Sequence, residues 1–277
     1  MPVLVSSAMG ENGDGYGTVL AFELAGNLLG TFGNDSTITD PRGMCVDPTG
    51  DLLYVNSGND RILALDRTGQ IERHTDPIDG LDPGGGVFGP DGRYYVGSRR
   101  LRTVMALPAS LDGPAQPLLA PGVVDFPRGF AFDADGRMFL AAGMDRSGAG
   151  EQTIKVFGKD GTLVVPSLVE DPQLSPLDLT IGPNGNVLVS SEWPFGADDA
   201  ISSVREYDSA SGRLIRILQP DGSASFGKPR GLRFGPDGNL YCVARDEVVS
   251  FDYETGTYVG VVISLARLFG QALAFFG

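Results

Sequence analysis

Apolar and polar positions along this chain fall into short alternating runs separated by glycine- and proline-rich turns. In Lys228–Ala244 (KPRGLRFGPDGNLYCVA), Leu232 and Phe234 precede a turn at Gly235-Pro236-Asp237-Gly238, and a second apolar run fills Asn239–Ala244. Strand side chains point alternately to two faces, so the pattern predicts two strands joined by a tight turn. Proline at the second turn position fixes φ, and glycine at the last accepts the left-handed conformation. Related runs begin at Pro41 (PRGMCVDPTGDLLYVNS), Pro83 (PGGGVFGPDGRYYVGS), Pro127 (PRGFAFDADGRMFLAA) and Pro176 (PLDLTIGPNGNVLVSS). In all five, the last turn glycine lies seven residues after the aligned start: 43 to 50, 85 to 92, 129 to 136, 178 to 185 and 231 to 238.

A sixth run is split between the chain ends. Gly270–Gly277 (GQALAFFG) shows the same interval, and Pro2–Ser7 (PVLVSS) supplies a second strand like VLVSS at 187–191. The aligned starts are 39 to 53 residues apart. A period of roughly 40–50 residues with several short strands per unit indicates one propeller blade per repeat. The expected fold is all-β, a six-bladed β-propeller forming a single domain over 1–277. Its ring is closed by strands within 2–33, which complete the blade begun by 270–277.

Taken in order, Val3–Ser7, Thr18–Glu23 and Asn27–Phe32 are the closing strands. Blade one takes 41–75, with outer strands Arg61–Asp66 and Gln70–His74. Blade two takes 83–120, blade three 127–166, blade four 176–218 and blade five 229–263. The outer pairs repeat too: TVLAFELAGNLLGTF, TIKVFGKDGTLVV, SVREYDSASGRLIRI and EVVSFDYETGTYVGV each join two strands through a short glycine-containing turn. Helix signals are confined to one short turn over Ser264–Leu268.

With blade strands labelled a to d from the axis outward, the d–a crossovers and b–c loops share one face, here the top. Extra residues concentrate in three b–c loops, Ala8–Gly17, Gly143–Gln152 and Glu192–Ser202. Irregular loops on a rigid scaffold commonly carry function, so the top face is the candidate surface.

The 277 residues are 42% hydrophobic, enough for a large core, and 40 glycines with 19 prolines suit a turn-rich ring. A formal charge of −14 argues against a nucleic-acid partner, which needs a basic footprint. No apolar run approaches a membrane span and no export signal is visible, so a soluble, monomeric chain is expected. Cys45 and Cys242 fall on apolar strand positions in different blades and read as free buried thiols.

The units PRGMCVDPTGDLLYVNSGNDRILALDRTG and KPRGLRFGPDGNLYCVA resemble NHL repeats, and the resemblance extends over the chain. It implies a six-bladed propeller, an architecture shared with gluconolactonase/senescence-marker and streptogramin B lyase propellers. Gluconolactonase-like enzymes resemble one another in an axial divalent-metal site of Glu, Asn and Asp at strand starts. The corresponding starts here are Arg42, Gly84, Arg128, Leu177, Arg230 and Phe269, so no metal and no cofactor are expected. The repeat aspartate at the second-strand end is replaced by Ser57, Ser98, Ala142, Ser191, Ala244 and Ser7, which predicts an open tunnel mouth. Streptogramin-type lyases resemble one another in using a histidine with a metal. The one histidine here, His74, ends an outer strand, where a solvated surface role is expected.

Function must therefore be read from residues. Arg42, Arg128 and Arg230 recur at equivalent positions of blades one, three and five and should converge on the mouth. There they either bind an anion or pair with carboxylates such as Asp40 and Asp125. Glu192-Trp193-Pro194-Phe195 offers an aromatic pair that either stacks on a ligand or caps a blade. Arg99, Arg100, Arg102 and Arg245 add charge at b–c positions, and Asp178 is the acidic residue nearest the strand starts. Glu11-Asn12-Gly13-Asp14-Gly15, Asp145 and Glu151 resemble fragments of calcium loops or plain turn chemistry. The expected function is binding of a small anionic or aromatic ligand, or a protein partner, at the top mouth. The alternative is a lyase, hydrolase or cyclase acting there through arginine with Asp178 or Glu192.

Overall fold

A computed structural model describes residues 1–10, 12–33, 36–145, 147–197, 201–220 and 226–277. Within them lie six antiparallel four-stranded sheets and no helix. The second strand of each blade explains why. Val3–Ser7, Leu53–Ser57, Tyr94–Ser98 and Leu240–Ala244 are buried at every position, because their two faces both pack on neighbouring blades. The outermost strands, such as Ile71–His74 and Leu214–Leu218, are largely exposed.

Apolar side chains fill the seams between blades. Phe139, Ile154, Leu179 and Val189 pack between blades three and four, and Leu4, Met44, Leu53 and Ala272 between six and one. The six innermost strands touch in a closed cycle from Gly43–Val46 round to Gly270–Phe275 and back. Closure is by strand pairing between the chain ends. Val3–Ser7 pairs with Gly270–Phe275 on one side and Val19–Phe22 on the other, with Leu28–Thr31 outermost.

The register of blade six differs from expectation. Gly270 pairs with Ser7 as Pro176 pairs with Ser191, and so takes the place that prolines hold in the other copies. The Ala272 amide donates to Ser6 Oγ at 2.9 Å, as the Asp178 amide does to Ser190 Oγ at 3.0 Å. Ala272 is therefore the counterpart of Gly43, and Gln271, not Phe269, the counterpart of Arg42. Gly277 is not a turn glycine.

Two of the predicted b–c loops are strand for much of their length. Met138–Met144 pairs with Gly150–Phe157, and Val187–Trp193 pairs with Ile201–Tyr207. Glu192 and Trp193 thus stand opposite Ser202 and Ile201 at the end of a ladder, not in a loop. Residues 198–200 of that connection, and Glu11 of the first loop, lie outside the described residues.

The ring of small residues does not open the tunnel either. Ser7, Ser57, Ser98, Ala142, Ser191 and Ala244 are all buried. The Ser98 hydroxyl donates to the Leu81 carbonyl at 2.6 Å, and Ser191 Oγ accepts the Ser175 amide at 3.0 Å. These serines pin the d–a crossovers to the sheet. They are small because the crossover backbone lies on them.

Turn aspartates recur in the c–d hairpins. Asp66 Oδ1 accepts the Thr68 and Gln70 amides at 2.8 and 2.9 Å, Asp208 Oδ1 the Ser211 amide at 2.7 Å, and Asp252 Oδ1 the Thr255 amide at 2.8 Å. Hydrogen bonds from the Thr68 hydroxyl, the Ser211 hydroxyl and the Thr255 amide respectively hold these carboxyls below the ordinary aspartate value. A carboxyl acidified by folding binds its proton more readily in the unfolded chain. The stability it contributes is present above its unfolded pKa and is lost as pH falls through the folded one. Urea midpoints measured from about pH 7 down to about pH 3 should fall steadily, and a triple D66N/D208N/D252N variant should fall less steeply. Identical slopes would count against these turns as the acid-sensitive groups.

Candidate functional site

The innermost strands begin at the top face, and their first residues build the tunnel mouth. Arg42, Gly84, Arg128, Leu177, Arg230 and Gln271 form one tier, with Gly43, Gly85, Gly129, Asp178, Gly231 and Ala272 directly below. Together with Arg99 and Arg233 they enclose a cavity of about 90 Å³. A water needs only about 10–15 Å³ measured this way, so the space suits a group of several heavy atoms. Its lining carries five guanidiniums and a single carboxylate. In a molecule of formal charge −14, this mouth concentrates arginine, although Asp40, Asp82, Glu192 and Asp178 pair with four of the five guanidiniums.

Each arginine of the mouth is held by neighbours. Arg42 donates to Asp82 at 2.5 Å and to Asp40 at 3.1 Å, and Arg99 donates to the same Asp82 carboxylate. Arg230 donates to Glu192 at 2.8 Å and to the Pro229 carbonyl at 2.9 Å. Arg128 donates to the Met144 carbonyl and lies between two rings, 4.4 Å from the Phe126 centroid and 4.7 Å from that of Phe195. Phe195 also faces Arg230 at 5.9 Å. Guanidinium–ring stacking leaves the edges of the planar fork available for hydrogen bonding. The expected partner Asp40 does pair with Arg42, whereas Asp125 pairs with Arg102 at 3.3 Å and not with Arg128.

Asp178 reaches the cavity from blade four. Its Oδ2 accepts the Leu232 amide at 3.0 Å and the Arg233 guanidinium at 3.2 Å. Burial pushes this carboxyl above the ordinary aspartate value, with Arg233 opposing. Blade three accommodates it only because position 129 is glycine. A Cβ there would fall on the Asp178 carboxylate and stand 2.7 Å from the Asp178 Cα. Arg233 goes further across the tunnel, donating to the Met44 carbonyl of blade one at 3.2 Å.

Two open hollows adjoin the cavity on the top face. One, of about 500 Å³, lies over the mouth and shares Arg42, Arg99, Arg230 and Gln271 with it, adding Asp40, Lys228, Arg245 and Phe269. The other, of about 460 Å³, lies between blades four and five and is lined in part by Glu192, Lys228, Arg245, Asp246 and Glu247. Arg245 stands over Phe269 at 5.4 Å with half of its side chain exposed.

The sequence-predicted residues thus separate. Arg42, Arg99, Arg128, Arg230 and Asp178 meet in one cavity, with Glu192 and Arg245 beside it. Trp193 is half-buried and lines neither the cavity nor the adjoining hollows; the ring that meets the arginines is Phe195. His74 is exposed at the outer edge of blade one, its Nδ1 near the Thr75 carbonyl. Asp145 caps its own turn through Ser147 and Ala149, and Glu151 pairs with Lys155 at 2.6 Å. Cys45 and Cys242 are free thiols, each pushed upward in pKa by burial.

Arg233 and Gln271 escaped sequence reasoning. Arg233 had a readable signal, since the equivalent places in the other blades hold Cys45, Val87, Ala131, Thr180 and Ala274. Gln271 was hidden by the register of blade six. Gln271 puts an amide in the upper tier, but the one carboxylate, Asp178, is engaged by Arg233, and five guanidiniums surround it. That donor set does not fit a hard divalent cation. Among the described residues, no group of three His, Cys, Asp or Glu side chains is placed to hold one.

No protein-family model matches this chain, and no curated protein matches it by sequence. Solved structures do match. A nidogen/laminin complex aligns with a TM-score of 0.76 at 15% identity, over 98% of this chain and 97% of that one. A protein assigned as a gluconolactonase aligns with a TM-score of 0.65 at 21% identity, over 86% and 81%. A streptogramin B lyase aligns with a TM-score of 0.62 at 18% identity, over 87% and 74%. At such identities the likeness establishes the six-bladed propeller and nothing finer. The similarity to NHL repeats rests on the repeat residues themselves.

Proposed function

We propose that this propeller is a binding protein that takes a small carboxylate- or phosphate-bearing ligand into the top mouth of its tunnel. The observation that carries the reading is the cavity whose lining sets five guanidiniums against one carboxylate. Planar guanidinium forks match the geometry of carboxylate and phosphate oxygens. Enclosure by the tunnel wall raises the strength of each such contact. The open hollow above admits the remainder of a larger ligand, or an acidic segment of a protein partner.

Inorganic phosphate and citrate test the reading by thermal shift. A ligand bound only by the folded state stabilises it by RT ln(1 + [L]/Kd). Both anions should raise the melting temperature of the native chain. Arg128→Met preserves most of the length that packs between Phe126 and Phe195 while removing the charge, and should weaken the anion effect about tenfold. No anion protection of the native chain would sink the proposal. Equal protection of native and R128M chains would assign Arg128 to structure alone.

The same cavity supports a second reading, an enzyme acting on the bound anion. Asp178 is a carboxyl with a raised pKa placed among the anion-binding arginines, as an acid–base group requires. Asp178→Asn would then abolish turnover while leaving anion binding in place.

A further inference from the structure

The Arg230–Glu192 pair lies between two different environments. On the Arg230 side is the anion cavity. On the Glu192 side is the hollow between blades four and five. Glu192 is only 1% exposed; its Oε2 accepts Arg230 at 2.8 Å, while its Oε1 is shut off from solvent and has no hydrogen-bond partner. Buried carboxylate oxygens are seldom left without a donor. Among the described residues no group supplies one, so this vacant acceptor beside the hollow calls for a donor from outside.

The acceptor is one of three carboxylates in the lining of the hollow. Glu192, Asp246 and Glu247 face Lys228 and Arg245 in the hollow, and Glu192 is spoken for by Arg230 through one oxygen only. Asp246 engages Arg245 no closer than 3.9 Å, so its charge is weakly compensated. The hollow continues into the space over the mouth, with which it shares Lys228 and Arg245. A single molecule can therefore span both.

We infer that the ligand is zwitterionic, with its anionic group in the arginine cavity and a primary ammonium donating to Glu192 Oε1 in the neighbouring hollow. This inference rests on the anion reading and names the class of ligand for it. Three N–H donors on a compact head suit a confined acceptor beside a hollow. A quaternary ammonium carries the same charge without a donor and would leave Oε1 as it is.

Calorimetric titration of the whole chain tests the assignment. The ligands are ω-amino acids from β-alanine to ε-aminocaproate, each set against the carboxylic acid of the same length without its amine. At the best length, the amino acid should bind about tenfold more tightly than its parent acid. Trimethylation of the nitrogen should remove that gain. Glu192→Gln should also close the gap between each amino acid and its parent acid, whatever it does to the parent acid itself through Arg230. Should that variant not fold, the trimethylated ligand still decides the matter on the native chain. If parent acids bind and amines add nothing at any length, the zwitterion is overturned and an ordered water on Oε1 explains the vacant acceptor. If neither parent acids nor phosphate bind, the anion reading itself has failed and the zwitterion falls with it.

Discussion

Deletion of Gln271–Gly277 should leave a chain that no longer unfolds cooperatively and that aggregates at concentrations where the native chain is monodisperse. The segment supplies the innermost strand of blade six, and no other strand can replace it. Its loss uncovers Val3, Leu4 and Val5 on their inner edge and removes Leu273 and Phe276 from the seams, where both are buried. At about 1.5–3 kcal/mol for each large apolar side chain and about 1 kcal/mol for each ladder hydrogen bond, the loss is on the order of 10 kcal/mol. That matches the whole stability of an ordinary domain. It also breaks the contact cycle of inner strands and exposes sheet edges that other chains can pair with. Size-exclusion chromatography and urea unfolding check the outcome. A monomeric deletion variant with an unchanged midpoint would show that ring closure does not depend on this pairing.

A circular permutant separates closure from covalent order. Pro2 and Gly277 lie against each other, and a Cβ on Gly277 would stand 2.8 Å from Pro2 Cδ. A short linker between them strains nothing. The new ends belong at an a–b turn such as Asp237-Gly238, where a Cβ added to Gly238 would meet nothing within 4 Å. A c–d turn such as Asp160-Gly161 is a poorer place, because Gly161 packs on the Leu118 carbonyl of the preceding blade. The permutant should fold with nearly native stability.

How much of this was readable from the chain depended on sequence distance. The five complete blades were legible because each carries its own turn, with proline and glycine at fixed offsets. Blade six was legible as a split unit but not in register. GQALAFFG contains neither the proline nor the turn that would fix alignment, and Gly270 sits where a proline would. Glu192 and Trp193 read as loop because their run is polar and precedes a proline, whereas pairing with Ser202 and Ile201 extends the strand. The convergence of Arg42, Arg128 and Arg230 followed from repeat symmetry. Their partners did not, since Asp82 and Glu192 come from neighbouring blades about 40 residues away in sequence. Whether an arginine is free or held is decided by such non-local pairs, and single-sequence periodicity contains nothing about them.

Glu206 is the clearest case, and removing it should have the largest effect of any single substitution considered. In SVREYDS it resembles an ordinary polar strand residue, yet it is 1% exposed at the seam of blades four and five. Its Oε1 accepts Asn184 and Asn186 side-chain amides at 2.9 Å each and the Tyr253 hydroxyl at 3.1 Å, and its Oε2 accepts Arg216 at 2.5 Å. Burial alone would raise this carboxyl, but the donors from Asn184, Asn186 and Arg216 outweigh it and hold the pKa below the ordinary glutamate value. Glu206→Ala strands three neutral donors and one guanidinium, so urea unfolding should show a loss of about 3–5 kcal/mol, nearer the lower figure because Arg216 retains some access to water. Glu206→Gln keeps the shape and one acceptor and should lose less. The sign with pH follows from the depressed pKa: the contribution of Glu206 is present above its unfolded value and fades as pH falls through the folded one. The gap between the native chain and E206Q should therefore narrow in acid. A loss below about 1 kcal/mol for the alanine variant would mean that water satisfies these donors as well as the carboxylate does.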